Sequence, residues 1–85
     1  MWCIVRELTK REREILIHIA DGFSNAEIAE RLFVPKGTIQ THRRNIMQKF
    51  GTKKVARLII LALYYRMIEI DEEGNVRLYT PKRTI

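Results

Sequence analysis

Five residues that are small, polar or cationic recur in residues 34–51 at spacings that place them on one side of a helix. At roughly 100° per residue, Ile39, Ile46 and Phe50 align on one edge, which is the pattern of a buried face. We call the opposite, acid-free side the outward edge, and it consists of Gly37, Gln40, Thr41, Arg44 and Gln48. Arg, Gln and Thr are side chains that hydrogen-bond to base edges in the major groove of B-DNA. The segment is therefore a candidate DNA-reading helix.

The charge distribution favours a polyanionic partner. The chain has 85 residues and a formal net charge of +6. Residues 31–68 include nine Lys or Arg and no Asp or Glu, whereas folded proteins normally mix both signs on their surface. A solvated charged face is the alternative interpretation of such a run. Thirty-eight residues without an acid fit polyanion binding better.

The sequence offers no residues for catalysis or for metal binding. A single cysteine, Cys3, cannot form an internal disulfide, and no Cys/His cluster has zinc-ligand spacing. A Ser/His/Asp set, paired acids and a Gly-rich phosphate loop are all missing, so we expect neither an enzyme nor a cofactor. The N-terminal residues lack the layout of a signal peptide, and the longest uncharged apolar run is far shorter than the ~20 residues of a membrane span. We expect a cytoplasmic protein without membrane contact.

Two capping boxes predict the first two helices. Thr9 with Glu12 is the first box, and the helix that it starts stops at Gly22. Ser24 with Glu27 is the second box, and it starts a shorter helix.

The second helix is expected to end near Phe33, because Pro35 forces the residue before it out of helical geometry. Pro35 suits a first helical position, so the third helix starts at once and ends at Gly51. Two helices joined by about three residues, the second of them cationic, form a helix-turn-helix.

A fourth helix is predicted over residues 55–67, and it is apolar on two sides. A surface helix needs only one apolar face, so the second face should be covered. We favour a second subunit as the cover, and a dimer interface would then consist of Ile60, Leu63, Tyr64 and Met67. The alternative is that the C-terminal tail covers this face.

The tail alternates between apolar and polar residues and turns at residues 72–75, where Gly74 suits a positive φ. Residues 68–80 therefore predict a β-hairpin, which must lean on the fourth helix or on residues 2–5. Residues 2–5 could form a short strand or a loose arm. We expect one mainly α-helical domain over residues 1–85, with a helix-turn-helix core at residues 8–67 and the hairpin as its tail.

Four blocks in this order resemble the LuxR/FixJ-type DNA-binding domain. The blocks are LTKREREIL (8–16), GFSNAEIA (22–29), GTIQTHRRNI (37–46) and KFG (49–51). The resemblance implies four helices, sequence-specific binding of double-stranded DNA, and transcription regulation, commonly by dimers that meet through the fourth helix on two-fold sites.

Carried over by position, the resemblance implies that Gln40, Thr41 and Arg44 contact bases. It also implies phosphate contacts by Asn25, Thr38, His42 and Lys49. The charge distribution adds further candidates for phosphate neutralisation, namely Lys36, Arg43, Lys53 and Lys54.

Two of these positions have alternatives. Arg43 leans inward, so it could reach a phosphate or pair with Glu27 or Glu30. His42 lies at the rim of the buried edge, where a packed or phosphate-touching histidine is more typical than a metal ligand.

The chain departs from the family pattern at several positions. Pro35 stands where the family usually has a capping Ser, and Lys54 replaces a capping Asn or Ser. Phe33 stands where many helix-turn-helix proteins have Gly, which predicts a different packing of the turn. Many members carry an upstream receiver or ligand domain, and without one we predict no regulation by phosphorylation or a small ligand.

Two other classes of protein share parts of this pattern. A sigma region-4-like module that contacts promoters and polymerase also has a capped first helix and a helix-turn-helix. An adaptor could use the fold to bind proteins, although the acid-free span argues against it. If the chain is a transcription regulator, RNA polymerase is a further candidate partner.

Overall fold

Four helices and a two-stranded antiparallel hairpin form the part of the chain that the computed structural model describes, residues 8–79. The elements are α1 (Lys10–Ala20), α2 (Asn25–Leu32), α3 (Lys36–Phe50), α4 (Val55–Tyr64), β1 (Ile68–Ile70) and β2 (Val76–Leu78). The predicted fold class is confirmed. The segment at residues 2–5 and the last residue of the predicted tail, Thr80, lie outside the described residues. Within residues 8–79, no helix has the length and apolarity that crossing a membrane requires.

The helices begin in two ways. In α1 the Glu12 amide donates to Thr9 Oγ1 at 3.1 Å, and the Thr9 amide donates to Glu12 Oε1 at 3.0 Å. Ser24 and Glu27 make the same reciprocal pair at the start of α2. Both predicted capping boxes are therefore present. The starts of α3 and α4, after Pro35 and Lys54, have no side-chain cap.

All four helices end in the same way. A residue with positive φ follows each helix, and these residues are Gly22, Phe33, Gly51 and Arg66. The amide of the next residue then donates to the carbonyl five residues back, over 2.9–3.1 Å in each case. This is the Schellman motif, which satisfies the last carbonyls of a helix. Glycine adopts the required backbone without a Cβ penalty, whereas Phe33 and Arg66 adopt it against that penalty.

The core lies between the helices and the first strand. Its largest fully buried side chains are Ile15, Leu16, Ile28, Ile39, Ile46, Leu58 and Ile68. Burying such a side chain contributes about 1.5–3 kcal/mol each, so these residues supply much of the driving force for folding. They come from every helix, which fixes α3 against α1 and α2 and leaves its outward edge free.

The fourth helix is three residues shorter than predicted. It stops at Tyr64, and the positive φ of Arg66 turns the chain back toward the core. The Met67 side chain is then only 5% exposed and belongs to the core of its own chain. The predicted end at residue 67 is wrong because the apolar character of Met67 serves the turn after the helix, not the helix face.

The hairpin pairs Ile68 with Leu78 and Ile70 with Val76. Its turn is closed by the Asp71 carboxylate, which accepts from two backbone amides at 2.8 and 2.9 Å, and Gly74 has the predicted positive φ. Strand β1 contacts α4, as expected, and β2 contacts α1, which was not expected. The first helix is therefore part of the support that a two-stranded hairpin needs.

Candidate nucleic-acid interface

Helix α3 has the two faces that its sequence predicts. Ile39, Ile46 and Phe50 are buried, whereas the residues of the outward edge are all exposed. Within residues 8–79, the side chains of Gln40 and Arg44 make no hydrogen bond or ion pair. Their amide and guanidinium groups are therefore available to an external partner.

Thr41 is partly engaged by its own helix. Its hydroxyl donates to the Gly37 carbonyl at 3.1 Å. The donor is thereby used, and Thr41 presents its methyl group and an acceptor lone pair to the outside. This favours contacts with apolar or donor groups at that position.

The start of α3 is cationic and has no side-chain cap. Pro35 provides no cap, and the first turn of the helix carries no acid. The Thr38 amide donates to the Pro35 carbonyl at 3.0 Å, which leaves the first two amides of the helix at the positive end of its dipole, where an anion is stabilised. Lys36 is exposed beside them, and Thr38 is half-buried.

A second cationic region lies at the corner between α3 and α4. The Thr52 hydroxyl accepts from the Lys54 amide at 3.1 Å and shapes the corner. Lys53 and Lys54 are both exposed there, and the first turn of α4 also has no acid. The corner thus presents two ammonium groups and the uncapped start of a helix.

Arg43 is held by the start of α2. Its Nη1 donates to Asn25 Oδ1 at 2.9 Å, and both residues are half-buried. No ion pair with Glu27 or Glu30 is present among the described residues, so that alternative for Arg43 is wrong. The hydrogen bond brings two predicted phosphate contacts together and links the two helices of the helix-turn-helix.

Lys49 has a partner within the protein that the sequence did not suggest. Its Nζ lies 2.8 Å from Glu12 Oε1, and the Glu12 side chain is only 4% exposed. Burial raises the pKa of Glu12, but the Lys49 ammonium, the Thr9 amide and the charge of His42 outweigh it and hold that pKa below the ordinary value. One carboxylate therefore caps α1 and anchors the end of α3.

The periodicity of α1 contains a signal for this burial. Glu12 precedes Ile15, Leu16 and Ile19 by three, four and seven residues, which places it on the apolar face. A carboxylate at such a position needs a cation. The identity of that cation is a tertiary feature that helical spacing does not reveal.

His42 is half-buried, and its Nδ1 is buried without a hydrogen-bond partner among the described residues. Within residues 8–79, no three His, Cys, Asp or Glu side chains lie close enough together to hold a metal ion. The described residues thus give His42 no set of metal-binding partners. Its electrostatic partner is the Glu12 carboxylate.

An open groove of about 620 Å³ runs along the side of α3. Arg44, Met47 and Gln48 of the helix line it together with Asn25 and Lys53. The lining residues include no acid. The groove therefore extends from the outward edge to the cationic corner at Lys53.

One side of α4 is exposed and apolar. Ile60 is 56% exposed, Leu63 36% and Tyr64 75%, so the hairpin does not cover them. Met67, the fourth residue of the predicted dimer interface, is buried instead in its own chain. The exposed apolar face thus consists of Ile60, Leu63 and Tyr64.

A helix pair joined by a short turn, here α2 and α3, whose second helix presents an acid-free edge is typical of helix-turn-helix DNA-binding domains. Residues 6–62 match the family described as bacterial regulatory proteins, luxR family. The chain belongs to this family, and its domain serves DNA-binding transcription regulation. The resemblance found from the sequence blocks is confirmed.

Curated relatives include oxygen regulatory protein NreC from Staphylococcus aureus strains JH9, JH1 and Mu3 / ATCC 700698. Each is 47% identical to this chain over 62 residues, which cover 73% of this chain and 29% of the relative. The chain therefore matches less than a third of the length of these relatives.

Proposed function

We propose that this chain binds a specific two-fold site on double-stranded DNA as a homodimer in the cytoplasm and thereby regulates transcription. The observation that carries the proposal is the outward edge of α3. It is exposed and acid-free, and the Gln40 and Arg44 side chains have no partner within the described residues. An unengaged amide and guanidinium on a helix that fits the major groove are suited to reading base edges.

Base discrimination is assigned to Gln40, Thr41 and Arg44. A guanidinium pairs with O6 and N7 of guanine and a Gln amide with N6 and N7 of adenine, each worth ~1–3 kcal/mol of discrimination. Thr41 presents its methyl group outward, since its hydroxyl already donates to Gly37. Thymine methyl groups are a suitable partner for that position.

Phosphate contacts are assigned to the two uncapped helix starts with Lys36, Lys53 and Lys54. The same role is assigned to Asn25, Thr38, His42 and Arg43, whose side chains are half-buried. Neutralising phosphates releases counterions, so affinity should fall steeply with salt. Lys49 already pairs with Glu12, so we expect its substitution to act first through the fold.

The dimer is assigned to the exposed side of α4. Ile60, Leu63 and Tyr64 form an apolar face that the hairpin leaves open. Two α3 helices about one DNA turn apart, ~34 Å, would require a two-fold site. Because Met67 is buried in its own chain, it is no longer part of the proposed interface.

Selection from a random duplex DNA pool at near-physiological salt tests the proposal. We expect a two-fold motif with a fixed half-site spacing. A single half-site would indicate a monomeric reader and contradict the dimer. No enrichment would contradict sequence-specific binding and favour the adaptor class.

Two alanine variants test the division of roles. Arg44→Ala should relax preference at one motif position and leave the salt dependence nearly unchanged. Lys53→Ala should weaken binding to all sequences alike and reduce the salt slope by about one. Identical behaviour of the two variants would overturn the assignment of base and phosphate contacts.

The response to oxygen in the name of NreC is not extended to this chain. The shared segment covers only 29% of that protein. Contact with RNA polymerase likewise stays a prediction, which a pull-down with purified polymerase in the presence of the selected DNA would test.

A further inference from the structure

We infer that Gln48 and Met47 together read an A·T base pair at the end of each half-site nearest the C-terminus of α3. This reading lies beyond the three positions that the family resemblance implies, and it rests on the proposed function. It adds a predicted base identity to the site.

Gln48 continues the stripe of Gln40 and Arg44 by one further turn of the helix. The three residues are spaced by four, so each is rotated by about 40° from the one before it; all three are exposed, and Gln48 lies nearly opposite the buried edge of α3. From Gln40 to Gln48 the helix rises about 12 Å, which matches three to four base pairs of B-DNA. The reading stripe is therefore long enough for one more base pair.

The Gln48 side chain is free to act. It is exposed, and its amide makes no hydrogen bond with any other residue between positions 8 and 79. A Gln amide offers a donor and an acceptor side by side. Adenine presents the complementary N7 acceptor and N6 donor in the major groove.

Met47 adds an apolar side chain to the groove that Gln48 also lines. It is half-buried, packs against the core and lines the same groove as Gln48. The thymine of an A·T pair places its C5 methyl group in the major groove. A thioether side chain adapts well to such an apolar group. One base pair thus satisfies both residues.

The groove supports nucleic acid as the occupant. It is open, with a volume of about 620 Å³, and Arg43, Arg44 and Lys53 lie along it without any acid in the lining. A DNA strand that follows the groove would bring its phosphates to Lys53 and its base edges to α3.

The experiment compares motifs selected by the wild-type chain, by Gln48→Ala and by Gln48→Glu. Wild type should show an A·T pair at one end of the half-site. Gln48→Ala should lose preference there by about tenfold and keep the other positions. Gln48→Glu should shift the preference toward a C·G pair, because a carboxylate accepts from the cytosine amino group. Glu72→Ala, an exposed change in the hairpin turn, is the control.

Replacing the thymine of that pair by uracil tests Met47 without changing the protein. Loss of the methyl group should weaken wild-type binding by about fourfold, and Met47→Ala should be insensitive to the replacement. If the wild-type motif appears but Gln48→Ala keeps every position, or weakens all sequences equally, the inference is overturned and the proposed function stands. If wild type selects no motif, both are overturned.

Discussion

The four helices of this domain end alike but begin differently. Every helix end closes by the same backbone motif, including the two ends that lack glycine. At the starts, α1 and α2 have complete capping boxes with a glutamate, whereas α3 and α4 have no side-chain cap and no acid in the first turn. Backbone hydrogen bonds therefore satisfy the last carbonyls of all four helices, whereas side-chain caps stabilise the starts of only α1 and α2.

The two helix starts without a side-chain cap lie beside exposed lysines. Lys36 follows one of them, and Lys53 and Lys54 precede the other. A capping carboxylate would satisfy the same amides that a phosphate can bind, and it would add a repulsive charge. The two helix starts without a side-chain cap or an acid are therefore the two that lie beside lysines, where the proposed function places an external anion.

The capping glutamate of α1, Glu12, is buried, whereas that of α2, Glu27, is exposed. Lys49→Met tests whether this burial matters, because it removes the ion-pair partner of Glu12. Without the ammonium, Glu12 is a buried carboxylate that has lost its ion-pair partner, so we expect a loss of about 2 kcal/mol in unfolding free energy. The value is below that of a fully buried pair because Lys49 keeps some solvent access. Urea titration measures the loss. Arg31→Met, at an exposed position of α2 near the exposed Glu27, is the control and should cost much less. Equal losses would contradict a special role for Glu12.

Adding a cap to an uncapped start should separate stability from binding. Lys54 has an extended backbone at the N-cap position of α4, so Lys54→Asp supplies an acceptor there and should stabilise the fold by about 1 kcal/mol. The same change replaces a cation by an anion and should weaken DNA binding several-fold, most at low salt. Thermal unfolding and fluorescence anisotropy measure the two effects. Unchanged affinity would mean that this start does not face DNA.

Acid should lower the unfolding free energy by protonating Glu12, which caps α1. Its pKa is lowered in the folded protein, so its stabilising contribution is complete above the ordinary value near 4.5 and is lost as the pH falls through the folded value. Glu12→Gln keeps an acceptor for the Thr9 amide but cannot titrate. Its unfolding free energy should therefore decline less than that of wild type between pH 7 and pH 3. Parallel declines would contradict the role of this carboxylate.

The smallest expected effect concerns a helix end. Phe33 is 94% exposed and has a φ of 58°, so Phe33→Gly relieves backbone strain without removing a buried contact. Part of this gain is offset by the greater freedom of glycine in the unfolded chain, which leaves about 0.5 kcal/mol of stabilisation. DNA affinity should not change. Gly51→Ala, at a φ of 70°, is the matched control and should destabilise. A loss of stability in Phe33→Gly would show that Phe33 contributes a contact.

The parts of the fold that could be predicted from the sequence are encoded locally. The capping boxes at Thr9 and Ser24 and the stops at Gly22 and Gly51 depend on residues within one turn of each other. The faces of α3 follow from helical periodicity alone. The availability of the candidate base-reading side chains is a consequence of those faces, since Gln40 and Arg44 make no hydrogen bond or ion pair within the described residues and Thr41 donates only to its own helix.

The parts that were missed depend on residues far apart in the sequence or on atypical residues. The pair of Glu12 and Lys49 joins positions 37 residues apart. The end of α4 was placed too late because its positive-φ residue is Arg66, which gives no glycine signal. The contact of β2 with α1 is a tertiary feature. The alternation of apolar and polar residues in the tail predicts a hairpin but not the helix against which it packs.

The position of the hairpin has a consequence for folding during synthesis. β2 is the last described element and contacts α1, the first, while the fully buried Ile68 enters the core from β1. A ribosome releases the chain from its N-terminus, so the helices emerge well before the residues that close their core. Contacts between distant segments also form slowly because their loop must close first. The nascent helix-turn-helix therefore completes its core only after β1 and β2 have emerged.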